Sequence, residues 1–130
     1  MSGFDNIIRL EELTKQFEEG TTIFHLDKDL PPVKLWTLWN RHERVAVVRS
    51  VVPAGVTFPT HVHGETEFII CYDGVGTCTI IDDDGPSEML HPLHAGVSVK
   101  ILPGQKHRIT AFQDLWVIAI TIPASPGFPE

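Results

Sequence analysis

A chain of 130 residues with 10 Lys+Arg, 17 Asp+Glu and a formal charge of −7 has the length of one domain and lacks the basic face that a nucleic acid or anionic membrane would require. Hydrophobic residues at 42% and charged residues at 21% exclude a disordered chain, and ten Gly with ten Pro favour many turns between short strands. Two cysteines make no disulfide framework, the first residues do not resemble a signal peptide, and no apolar run is long enough to cross a bilayer, so a reduced, cytoplasmic protein is expected.

Residues 10–20 have helical periodicity. Leu10, Leu13 and Phe17 share one face, Glu11, Glu12, Lys15 and Glu18 lie off it, and Gly20 supplies a C-terminal stop. The reading is a short amphipathic helix packed on the body of the domain or on a neighbouring subunit. Beyond Gly20 the pattern changes to short β-type runs at 21–26, 33–39, 45–52, 66–72, 76–81, 87–90, 97–102, 108–112 and 116–122. Turn signals separate them: Pro31-Pro32, Pro53-Ala54-Gly55, Asp73-Gly74, Asp84-Gly85 and Pro103-Gly104. Strands at this spacing, with no second helix-length pattern, predict an all-β sandwich or barrel. The proline-rich tail 123–130 reads as an irregular surface extension.

Chemistry concentrates in one stretch and one outlying histidine. His61 and His63 stand one residue apart in strand-like sequence, which places both imidazoles on the same side. Glu67 follows past a bend at Gly64-Glu65, and His107 lies just after Pro103-Gly104, where another strand should begin. If those strands are neighbours, three imidazoles and one carboxylate converge. A mixed nitrogen and oxygen set without thiolate suits Fe, Mn, Ni, Cu, Co or Zn, and leaves open positions on a six-coordinate ion. Substrate, water or dioxygen can enter such positions. A lone histidine in apolar sequence is ordinarily a hydrogen-bonded core residue, a reading that four potential ligands at this spacing outweigh. His91 and His94 flank Pro92-Leu93 beside a predicted turn and read as exposed, His25 and His42 sit in polar surroundings, and none of these receives a role. Glu65 is a candidate alternative ligand or supporting group. Cys71 shares the parity of Glu67 and Ile69 and reads as a small core residue. A hairpin centred on Asp73-Gly74 would set Cys78 opposite Ile69, so no disulfide between the cysteines is expected.

The run from Gly55 through His61, His63 and Glu67 to Gly74 matches every fixed position of the first cupin motif, G-x5-H-x-H-x3-E-x6-G. Gly96, Gly104 and His107 match the second, G-x5-P-x-G-x2-H-x3-N, while Leu102 and Ala111 stand where that motif has Pro and Asn. The chain therefore resembles the small single-domain cupins of the RmlC-like jelly-roll superfamily. The resemblance implies a double-stranded β-helix, or jelly-roll barrel, with a short N-terminal helix. It implies one domain over 1–130, with its motif core at 45–122 and an N-terminal helix-and-strand extension at 7–44. It also implies one divalent transition metal held by His61, His63, Glu67 and His107, and pairing as a homodimer.

By parity the inner wall is mainly apolar, and Phe58, Ile69, Cys71 and Ile109 are the expected substrate pocket. An apolar wall without an extra acid or base favours reaction at the metal itself. The expected function is a dioxygenase-type or related metal-centred enzyme acting on a small organic molecule, with isomerase and lyase chemistry as variants. The alternative is a non-catalytic small-molecule-binding or sensing cupin.

Overall fold

The computed structural model describes residues 22–41, 44–81 and 87–123. Their strands, in chain order, are β1 Thr22–Phe24, β2 Val33–Arg41, β3 Val45–Val52, β4 Thr57–His61, β5 Thr66–Asp73, β6 Val75–Ile81, β7 Glu88–His94, β8 Ser98–Ile101, β9 Lys106–Ala111 and β10 Leu115–Ile122. The longest owe their form to β-branched residues, whose stiff side chains fit a pleated surface. Thus β3 reads Val-Ala-Val-Val-Arg-Ser-Val-Val and β10 Leu-Trp-Val-Ile-Ala-Ile-Thr-Ile. In β3, Ala46, Val48 and Ser50 are buried while Val45, Val47 and Arg49 on the opposite face are less so.

Two antiparallel sheets result. One has six strands in the order β1-β2-β3-β10-β5-β8, and the other four in the order β4-β9-β6-β7. With β10 inserted between β3 and β5, the connections are those of a jelly roll. The core is one apolar cluster fed from both sheets, by Val48, Ile69, Ile101 and Leu115 on one side and Cys78, Leu93, Ile109 and Ala111 on the other. Each large aliphatic side chain removed from water there contributes about 1.5–3 kcal/mol. Among the described residues no helix is long and apolar enough to cross a membrane.

The expected all-β jelly roll is therefore observed, with three differences of detail. Strand β4 ends at His61, earlier than the strand-like sequence about His61 and His63 implies, and its sequence, Thr-Phe-Pro-Thr-His, carries a proline and no alternation. An edge strand tolerates that proline, and the pairing of β4 with β9 breaks register between Phe58 and His61. Strand β7 continues through Pro92 to His94 for the same edge-strand reason. Finally, Asp73-Gly74 does not close a hairpin. The chain crosses there from the six-stranded to the four-stranded sheet, so Cys78 lies opposite His91 and Ile109, not Ile69. Both cysteines are buried free thiols, as expected. The helix expected at residues 10–20 and the tail beyond Pro123 lie outside the described residues.

Gly74 makes the crossing possible. Its φ is +89°, and a Cβ at this position would collide with the backbone carbonyl of Asp114. Gly96 has a similar φ of +94° but open space around it. Gly96→Ala should therefore cost only the left-handed backbone penalty, about 1–2 kcal/mol. Gly74→Ala adds a backbone clash and should cost roughly 3 kcal/mol or more. Urea unfolding of the two variants beside the parent checks the order; equal midpoints would contradict it.

Candidate metal centre

Four side chains meet in the gap between the sheets. His61 ends β4 and is paired across the ladder with His107 on β9. Glu67 is the second residue of β5, on the facing six-stranded sheet. His63 arrives from the β4–β5 connection, whose backbone is tied down where the Gly104 N–H donates to the His63 carbonyl at 3.0 Å. One potential ligand atom from each of the four residues lies within 4.8 Å of the others. Glu67 and His107 are buried, with His61 and His63 half-buried. The four residues expected from the sequence are thus brought together.

The route differs from the expected one for His63. Because β4 stops at His61, the two histidines of the His-x-His pair do not project together by strand alternation. The loop carries His63 back to the cluster instead.

Each imidazole is oriented by a backbone carbonyl two residues away. His61 Nδ1 pairs with Pro59 O at 2.9 Å, His63 Nδ1 with Glu65 O at 3.2 Å, and His107 Nδ1 with Gln105 O at 2.9 Å. A carbonyl can only accept, so in all three rings Nδ1 carries a proton, and in each neutral ring the Nε2 lone pair is free. The Nε2 atoms of His63 and His107 are buried without a hydrogen bond. Both face Glu67 Oε1, at 3.6 and 3.3 Å. Lone pairs opposing a buried carboxylate oxygen need a cation between them. The cation is either a proton on the ring or a metal ion, and the donor set fits a divalent metal.

The proton alternative sets the electrostatics. Burial pushes the Glu67 carboxyl up, but His107 and then His63 outweigh it and hold the group at about 2. Glu67 in turn raises the His63 pKa against the opposing effect of burial. Burial lowers that of His61, more than its bond to Pro59 raises it. At His63 a proton would therefore compete strongly with any metal ion, and Glu67 stays ionised.

Of the expected pocket residues, Phe58 packs edge-on to His61 with ring centroids 5.2 Å apart, and Phe24 packs edge-on to Phe58 in turn. Ile109 is the ladder partner of Phe58. Ile69 is buried in the core, and the Cys71 Sγ turns to the carbonyls of Asp73 and Gly74 at the sheet crossing. Cys78, expected opposite Ile69, is instead buried beside Ile109, where burial and then Glu67 push its thiol up to about 12. The misjudged hairpin hid this placement, because only the β6–β9 pairing sets Cys78 beside Ile109. His91 and His94 stay outside the cluster. Trp36 and Trp116 stack on each other away from it, and Phe112 is exposed.

Comparison with known proteins bears on the family and the fold. A family model described as the cupin domain matches residues 48–119. No curated protein matches the sequence. Among solved structures, an RmlC-like cupin from Shewanella frigidimarina superposes with a TM-score of 0.67 at 21% identity, over 87% of this chain and 93% of that one. A protein described as a predicted oxalate decarboxylase from Thermotoga maritima gives 0.68 at 21% identity, over 90% and 98%. An oxalate oxidase gives 0.55 at 21%, over 61% and 42%. At these identities the likeness shows the fold.

The ionic cluster predicts opposite pH responses with and without metal. Glu67, depressed from 4.5, contributes stability that is complete above that value and is lost as pH falls toward 2. His63, raised from 6.5, contributes stability that is complete below that value and is lost as pH rises through its folded pKa. In chelator the Glu67–His63 pair should thus stabilise best between pH 4.5 and 6.5, while His61, whose pKa burial lowers, offsets part of that gain as pH falls below 6.5. Stabilisation by added Zn2+ should instead grow from acid to mildly alkaline pH as protons leave the rings. Thermal unfolding across this range, with chelator and with Zn2+, checks both signs. A larger Zn2+ effect at the acid end would contradict them.

Proposed function

The chain belongs to the cupin domain family, and we propose that it is a metal-dependent enzyme of the oxygenase or oxidase type acting on a small organic molecule through an oxygen donor. One observation carries the reading: three imidazoles whose Nδ1 positions are already engaged and one buried carboxylate each bring a potential ligand atom within 4.8 Å of the others, with no thiolate in the set. Four such ligands hold an ion while leaving positions for exchange. When bound, a divalent transition metal supplies Lewis acidity and, if redox-active, electron transfer to dioxygen. The protein's own part is to hold the rings rigid, to neutralise charge through Glu67, and to wall the approach with Phe58 and Ile109. The names of two structural neighbours, both concerned with oxalate, favour small oxygen-rich acids among the substrates to try.

We further propose that the protein pairs with a second copy of itself. The face of the six-stranded sheet away from the core carries a run of apolar side chains, and a contiguous apolar patch of that kind marks an interaction surface. On the face away from the core, Trp36 and Trp116 stack, with the Arg49 guanidinium 5.4 and 4.6 Å from their rings and its Nε donating to Tyr72 Oη at 2.6 Å. Val47, Ile70, Ile118 and Ile120 extend that face and are only half-buried. Light scattering at micromolar concentration should give the mass of two chains; the mass of one would overturn the pairing.

For activity, elemental analysis of the purified protein should find about one transition metal per chain. With that metal restored, oxygen uptake should appear with some member of a panel of small carboxylic acids, enols and diketones. His61→Ala and His107→Ala should abolish it while circular dichroism stays that of the parent. Metal and ligand binding without turnover by any panel member would favour a binding module instead. Unfolding of the parent by chelator at room temperature would make the centre structural.

A further inference from the structure

His63 differs from the other two histidines of the centre. His61 and His107 each meet a single backbone carbonyl at Nδ1. His63 meets two acceptors from one residue: the Glu65 carbonyl at 3.2 Å and the Glu65 carboxylate, whose Oε2 lies 3.4 Å away. That Oε2 is buried and makes no hydrogen bond. On the other edge of the same ring, Nε2 faces Glu67. His63 is thus a ring between two carboxylates, one on the side of the cluster and one behind it.

A buried carboxylate oxygen without a hydrogen bond is costly, and a charged acceptor binds an N–H more strongly than a neutral carbonyl does. A cation drawn to Nε2 withdraws electrons from the ring and makes the Nδ1–H a better donor. The carboxylate behind it is then the favoured acceptor, a short ring rotation away. We propose that Glu65 is a positioning residue of the metal centre: its carboxylate takes the Nδ1–H of His63 when a divalent metal sits on Nε2, locking the ring and making His63 the strongest nitrogen donor of the three. The proposal rests on the metal reading above. It also assigns the two carboxylates separate roles, with Glu67 facing the ion and Glu65 supporting a ligand. Their combined charge matches that of one divalent ion.

The test is Co2+ binding to the full-length protein, followed through the visible absorption bands of the bound ion. Glu65→Gln keeps the shape of the side chain and removes its charge. It should weaken Co2+ binding by about 10–100-fold, the usual effect of losing such a partner, and should shift the Co2+ bands. Glu65→Asp keeps the charge and should recover part of both. Glu88→Gln is the charge control, because Glu88 pairs with Arg108 on the surface; it should stay within twofold of the parent with unchanged bands. Glu65→Gln binding within twofold of the parent with the parent spectrum would overturn the role of Glu65 and leave the metal reading intact. An equal loss in Glu88→Gln would also overturn it, by reducing the effect to net charge. A parent that binds no Co2+ would overturn the metal reading and this proposal together.

Discussion

The buried carboxylate of Glu67 faces the Nε2 atoms of two imidazoles that have already committed their protons elsewhere. That contact is repulsive unless positive charge lies within it. The three carbonyl contacts at Nδ1 create the demand, because they settle which nitrogen carries the proton before any ion arrives. The chain is consequently preorganised for a cation, and the rest of the fold can be understood as what holds the opposing groups in place.

Two features of the fold do most of that holding. The ladder between β4 and β9 sets His61 opposite His107, and the register break after Phe58 adjusts where His61 falls. The crossing at Gly74 keeps β5, which carries Glu67, in one sheet while β6 joins β9 in the other. Glu67 therefore approaches the histidines across the core and not along a strand. The short bond from Gly104 to the His63 carbonyl joins the two motif regions directly and fixes the last ligand.

Much of this was legible in the sequence. Ligand types and spacings named all four residues of the centre, and the β-branched runs named most strands. What failed has a common physical origin. Strand alternation is a local rule, and it was applied to His63 beyond the end of β4 and across a turn at Asp73-Gly74 that changes sheets. Neither event leaves a local mark, since an Asp-Gly pair serves a hairpin and a corner equally well. The bounds of β4 were not legible because edge strands accept a proline that periodicity counts against them. Cys78 and the second acceptor of His63 depend on side-chain placement between strands, which no spacing encodes.

The proposed centre is one metal site with three imidazole ligands. X-ray absorption of the protein loaded with one equivalent of Zn2+ tests it most directly. The spectrum should show a nitrogen and oxygen shell at about 2.0–2.2 Å, with outer-shell scattering from three imidazole rings that falls to two in His107→Ala. A shell of oxygens without imidazole scattering, or a spectrum unchanged by His107→Ala, would contradict it.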